Sequence, residues 1–166
     1  AAGCPVIVKG HSAHPGTSEI VAQAIDDSIK ACNMHPGTVS VIQGGSRDVG
    51  QALVQHPLIK AVGFTGSLAG GKALFDFCAA REEPIPFFGE LGSVNPMFLL
   101  PHAIANRGGE ISSGWVGSLT IGAGQFCTNP GIAIVIDGAD AAIFINDVTT
   151  LLSKVDSQMM LTDGIS

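Results

Sequence analysis

"VGFTGSLAGGKALF", Val62 to Phe75, decides how this chain is read as a fold. A short apolar run rich in β-forming residues ends at Thr65, turns at Gly66-Ser67, and gives way to a segment whose apolar residues recur at helical spacing. The reading is strand, tight turn, helix. We expect the strand within "KAVGFTG", Lys60 to Gly66, and a helix from Leu68 to Arg81 that turns Leu74, Phe75 and Cys78 inward.

The same alternation extends in both directions. Towards the N-terminus, Val6 to Val8 reads as a strand. Val21, Ala24, Ile25, Ile29 and Cys32 make an apolar stripe on a helix from Thr17 to Cys32, stopped by "NMHPG". "VSVIQ", Val39 to Gln43, is a second strand, followed by a short helix from Arg47 to Gln55. Towards the C-terminus, the prolines of "EEPIP" mark a change of organisation, and "FFGELGSVNPMFLL", Phe87 to Leu100, carries strands into a second unit. A helix from Ile104 to Thr120, a buried strand in "GIAIVI" and an amphipathic helix from Ala139 to Lys154 complete the pattern. Strands alternating with helices imply an α/β architecture with parallel sheets.

Composition narrows the range of functions. Hydrophobic residues make up 46% of the 166 and charged residues only 13%, too little charge to cover a free-standing globule. With an N-terminus that lacks Met, this leads us to expect an internal portion of a longer protein. The net charge of −6 and the lack of a basic block argue against a nucleic-acid partner. No apolar run approaches the ~18 residues of a membrane span. Cys4, Cys32, Cys78 and Cys127 show neither CxxC nor zinc spacing, so we expect reduced thiols in the cytoplasm. His11 and His14 have HxxH spacing on a Pro-Gly loop without a third ligand, and we assign no metal site.

Three stretches carry residues suited to chemistry. In "VGFTGSLAGGKALF" the N–H groups at the helix start, with the positive end of the helix dipole, suit a phosphate; tight strand-to-helix packing explains the same glycines equally well. In "PFFGELGS" Glu90 stands among phenylalanines, Leu91 and glycines. There a desolvated carboxylate would gain basicity and could act as a general base, though a simple turn cap also fits. In "GAGQFCTNPG", Gly122 to Gly131, Cys127 is flanked by glycines that would let backbone N–H groups converge on whatever its thiol attacks. The alternative is a small buried thiol. Cys4, Cys32 and Cys78 read as core thiols, and Trp115 fits either a channel edge or the core.

Taken in order, "VIVKGHSAHPGTSE", "FTGSLAGG", "ELGS" and "GAGQFCTNPG" resemble the aldehyde dehydrogenase superfamily over nearly the whole chain. Glu90 precedes Cys127 by slightly more than is usual for that family's catalytic pair. "ELGS" and "GQFCTNPG" are most similar to the NADP-dependent fatty-aldehyde and 2-oxoglutarate-semialdehyde (2,5-dioxovalerate) dehydrogenases.

The resemblance implies a Rossmann-like portion of a cofactor domain over residues 1–89, joined to the start of an α/β catalytic domain over residues 90–166. It implies that Cys127 attacks an aldehyde and that Glu90 activates the water that hydrolyses the resulting thioester. For the cofactor it implies Lys9 at the adenosine ribose, Gly66, Ser67 and Gly71 at the pyrophosphate, and Leu91 and Gly92 near the nicotinamide. Ser12 stands where many NAD-using relatives place a ribose-binding Glu, and Arg47 follows close behind "QGGS", so NADP is favoured and NAD remains open. The expected partners are a small aldehyde and further copies of the full-length protein, with no nucleic acid and no membrane. A cysteine acyl-transferring enzyme without nicotinamide, and a non-catalytic scaffold piece, are the rival readings.

Overall fold

A computed structural model describes residues 3–162 of the chain. The described residues fall into two compact units, one ending at Leu91 and the other starting at Gly92.

The first unit contains β1 (Val6–Lys9), α1 (Pro15–Ala31), β2 (Val39–Ile42), α2 (Arg47–Gln55), β3 (Val62–Thr65), α3 (Leu68–Ala79) and β4 (Phe87–Glu90). β1 pairs in parallel with β2, Val6 opposite Val39, and β3 with β4, Val62 opposite Phe87. Parallel pairs need long crossovers, and α1 and α3 supply them. Pro15 opens α1 two residues before the expected start, at a position where its missing N–H costs nothing. Arg81 joins the two later helices: its guanidinium donates to the carbonyls of Val54 at 2.6 Å and His56 at 3.0 Å, satisfying the end of α2.

On α3, Cys78 is buried and Leu74 half-buried as expected, but Phe75 is 51% exposed. Its ring meets the edge of Phe87 at a centroid distance of 6.0 Å. Phe77, half-buried, faces inward instead. The helical stripe on α1 is likewise thinner than expected, with Ile29 buried and Val21 exposed.

The second unit contains β5 (Pro96–Leu99), α4 (Pro101–Thr120), β6 (Ile132–Val135) and α5 (Ala139–Leu152). β5 and β6 pair in parallel, Pro96 opposite Ile132. Leu99, Ile104, Val116, Phe144 and Val148 form the core, with Trp115 packed against it and its ring 6.4 Å from that of Phe144. Trp115 is therefore a packing residue in this unit. α4 breaks at Arg107, whose φ of −139° and ψ of 21° are not helical, just before Gly108-Gly109. Ser112, fully buried on the same helix, returns its hydroxyl to the carbonyl of Gly108 at 2.8 Å.

Candidate active site

In the first unit, the candidate residues gather where strands end and helices begin. Lys9 closes β1, and its ammonium donates to the carbonyls of Gly44 at 2.9 Å and Gly10 at 3.1 Å. The loop after β2 is thereby tied to the end of β1. α2 then starts at Arg47 with Ser46 as its cap, the Asp48 N–H donating to the Ser46 hydroxyl at 3.1 Å. Ser12 is exposed in the turn closed by His14 N–H donating to the His11 carbonyl at 3.1 Å. Asp48, which sequence reasoning passed over, sets a carboxylate at the start of α2, where it accepts from the Ser46 hydroxyl at 2.8 Å.

The Gly66-Ser67 turn is built by both strands of its ladder. Gly66 N–H donates to the Glu90 carbonyl at 3.1 Å, and Ser67 caps α3 by accepting from Gly70 N–H at 3.2 Å. A Cβ on Gly66 would lie 2.7 Å from the Phe64 ring. On Gly71 it would lie 1.9 Å from Leu91 Cδ2. The bareness of Gly71 thus serves helix-to-strand packing, and its N–H already donates to the Ser67 carbonyl at 2.9 Å. Leu91 is half-buried by the same contact.

Glu90 is the last residue of β4, opposite Thr65, with an exposed side chain. With Gly63, Phe64, Thr65, Phe88 and Gly89 it lines an open cleft. The desolvation expected from its phenylalanine neighbours is not found, because Phe88 is itself 69% exposed and Glu90 is not covered within this unit.

Gly92, at a φ of 156°, and Cys127 belong to the second unit. Cys127 is exposed, on the loop that follows α4. Gly122, Ala123 and Gly124 hold φ values of 56°, 58° and 75°, so three consecutive residues turn the chain left-handed just before the thiol. Several side chains unmarked by sequence reasoning secure this loop. The Ser93 hydroxyl and the Asn95 amide both donate to the Cys127 carbonyl, the latter at 2.7 Å. Asn129 Nδ2 donates to the Leu119 carbonyl at 2.8 Å. Gln158 Oε1 accepts from Ala123 N–H at 2.8 Å while its Nε2 donates to the Thr120 carbonyl at 3.1 Å. The only advance signal was the density of Asn, Gln and Ser around the glycines.

Of the other thiols, Cys78 is buried, and burial raises its pKa while Arg81 partly lowers it. Cys4 and Cys32 are exposed, which corrects their assignment to the core. Cys4 precedes β1 and Cys32 follows the last residue of α1, so neither sits on a buried face. Among the described residues, no three His, Cys, Asp or Glu side chains cluster so as to hold a metal, and no helix is long and apolar enough to cross a membrane.

The donor set of the first unit is of a kind that suits the phosphate groups of a dinucleotide, with the Asp48 carboxylate set against it at the start of α2. An ammonium, a guanidinium and two serine-capped helix starts follow the C-terminal ends of parallel strands, and at Gly45 the space a Cβ would fill is open.

Residues 1–162 match the sequence model of the family described as "Aldehyde dehydrogenase family". The chain is 50% identical over 166 residues to alpha-ketoglutaric semialdehyde dehydrogenase 2 of Azospirillum brasilense, covering 100% of this chain and 32% of that protein. It is 46% identical over 167 residues to alpha-ketoglutaric semialdehyde dehydrogenase of Acinetobacter baylyi, covering 99% and 31%. It thus spans about a third of the length of these relatives. Among solved structures, an NAD-dependent aldehyde dehydrogenase from Sinorhizobium meliloti superposes with a TM-score of 0.76 at 25% identity, over 93% of this chain and 29% of that one.

Proposed function

The chain belongs to the aldehyde dehydrogenase family, and on that premise we propose that the full-length protein oxidises an aldehyde to a carboxylic acid with NADP. Residues 1–89 contribute to the cofactor domain and residues 90–166 to the catalytic domain. The names of the two relatives favour a semialdehyde of the 2-oxoglutarate type over a fatty aldehyde. We assign the protein to the cytoplasm and expect it to act as a homo-oligomer.

The observation that most supports this reading is the exposed Cys127 on a loop whose backbone is secured on several sides. Its thiolate forms a C–S bond to the aldehyde carbon, and the carbonyl π pair moves onto oxygen, where the Cys127 N–H can meet the developing charge. NADP, when bound, would supply the acceptor for the hydride that leaves the adduct's carbon as its oxygen re-forms the carbonyl, which yields the thioester. Glu90 takes a proton from water as that water's oxygen attacks the thioester carbon. The C–S bond then breaks, and the thiolate leaves.

Lys9, Ser12 and Arg47 would hold the ribose-phosphate end of the cofactor, with Gly66, Ser67 and Gly71 at the pyrophosphate and Leu91 and Gly92 at the nicotinamide. The packing of Gly71 against Leu91 leaves the Ser67 turn as the part of that segment open to phosphate.

Three variants of the full-length protein test the reading. Cys127→Ala should abolish NADPH formation and leave NADP binding unchanged; activity within about tenfold of the parent defeats the nucleophile assignment. Glu90→Gln should give a burst of NADPH followed by a near stall, and normal steady turnover removes Glu90 from the chemistry. Arg47→Ala should weaken NADP about tenfold to a hundredfold and NAD far less, as expected for one lost charge-assisted contact. Equal losses for both cofactors would show that Arg47 does not read the 2'-phosphate.

A further inference from the structure

Both peptide planes that flank Cys127 are held. On the N-terminal side, the Phe126 carbonyl accepts from Asn129 N–H at 3.0 Å. Because a peptide unit is planar, that bond also aims the Cys127 N–H. On the C-terminal side, the Cys127 carbonyl accepts from the Ser93 hydroxyl and from Asn95 Nδ2 at 2.7 Å. The same Asn95 amide donates to the Asn129 carbonyl at 2.9 Å, and Gly131 N–H donates back to the Val94 carbonyl at 3.1 Å. The segment Ser93 to Asn95 therefore grips the thiol loop at three carbonyl or N–H positions.

Asn95 reaches this position from a left-handed backbone, φ 45°, which Asn tolerates better than other residues with a Cβ. Ser93, Asn95 and Cys127 are all exposed, so the grip contributes little to the apolar core. What it does control is the direction of the Cys127 Cα–Cβ bond and N–H.

We propose that Ser93 and Asn95 are positioning residues that set the orientation of Cys127 by clamping its carbonyl. This rests on the reading of Cys127 as the nucleophile. A displacement of about 1 Å in a reacting group can cost on the order of a hundredfold in rate, which bounds the effect of releasing the clamp.

The test uses the full-length protein and the rate of alkylation of Cys127 by iodoacetamide at neutral pH, with the modified peptide quantified by mass spectrometry. Ser93→Ala removes one donor. Asn95→Asp keeps size and left-handed tolerance but replaces the donating amide with an acceptor. Both should slow alkylation at neutral pH and lower kcat by about tenfold or more, with the KM for NADP and the melting temperature little changed. Ser93→Thr, which retains the hydroxyl, should behave as the parent.

Parent-like alkylation rates and kcat in Ser93→Ala and Asn95→Asp would overturn the proposal. If Asn95→Asp does not fold, the contrast between Ser93→Ala and Ser93→Thr decides on the same readout. Failure of the nucleophile reading is separately visible: Cys127→Ala would then still turn over aldehyde, whatever the clamp variants do.

Discussion

The Gly66 to Gly71 turn and the Gly122 to Gly124 turn look alike as sequence, yet their glycines answer different physical needs. In the first, a side chain would have no room: Leu91 Cδ2 sits 1.9 Å from the Cβ position of Gly71, and the Phe64 ring 2.7 Å from that of Gly66. In the second, the backbone itself is left-handed over three residues, Ala123 included, and only at Gly122 would a Cβ also meet a ring, that of Phe126 at 2.8 Å. The two regions also hold their thiols differently. Cys78 is 1% exposed near the end of the helix that Gly71 brings onto Leu91, whereas Cys127 stands exposed beyond the left-handed turn. Scarcity of side chains therefore marks packing alone in one place and, in the other, left-handed backbone first with packing against Phe126 added at Gly122.

Substitutions can break this contrast. Gly124→Val should have the largest effect, because a β-branched residue at φ 75° is strained and its Cβ would also sit 3.3 Å from the Leu119 carbonyl oxygen. A loss of about 2–3 kcal/mol in the unfolding free energy of the full-length protein is expected. No truncation of a neighbouring side chain should restore it, and restoration by one would show that space was the constraint after all.

Gly71→Ala should cost less. Overpacking against Leu91 is worth about 1–3 kcal/mol, partly offset by the roughly 1 kcal/mol that Ala gains over Gly within a helix. Here truncation should help: in a Leu91→Ala background the same substitution should become neutral or stabilising. A double-mutant cycle with no coupling would sink the packing account.

Ala123→Gly should move stability the other way, by about 1 kcal/mol or less, since relief of left-handed strain is offset by the greater chain entropy of Gly. A clear loss of stability would mean that the Ala123 methyl makes a contact that outweighs the strain.

The smallest effect concerns pH. Burial, opposed in part by Arg81, lifts the Cys78 pKa above its ordinary value of 9.0. The folded state then keeps the thiol proton longer than the unfolded state, so this group's contribution is fully present below the ordinary value and is lost as pH rises through the folded one. The melting temperature should fall slightly less steeply above pH 9 in Cys78→Ala than in the parent. Identical slopes would remove Cys78 as a contributor.

Much of the architecture was legible because it is local. The apolar pattern and turn residues located the five α-helices and the first three strands, and α2 runs from Arg47 to Gln55 as read; β4 and β5 were read as one stretch, and β4 falls in the first unit. The helix ends were less legible: α1 and α4 begin at Pro15 and Pro101, earlier than their apolar stripes, because Pro is tolerated at a first helical position without belonging to the stripe. Side-chain environment was less legible still. Phe75, Cys4 and Cys32 were expected inside and lie exposed, and Glu90 was expected among covering rings and is uncovered within its unit. Apolar neighbours in sequence do not shield a residue at a strand end, where consecutive side chains point to opposite faces.

By itself, then, the sequence determined the alternation of strands and helices, the parallel pairing it implies, and the order of motifs that identifies the family, since each depends on residues close together in the chain. Only the tertiary structure decided that Gly71 is bare for Leu91, that Ala123 joins two glycines in a left-handed turn, and that Ser93 and Asn95 close on the Cys127 carbonyl. Those relations join side chains or backbone groups brought together by loop conformation. A hydrogen bond to a backbone carbonyl leaves no mark on the identity of the residue that accepts it, because every residue carries that acceptor.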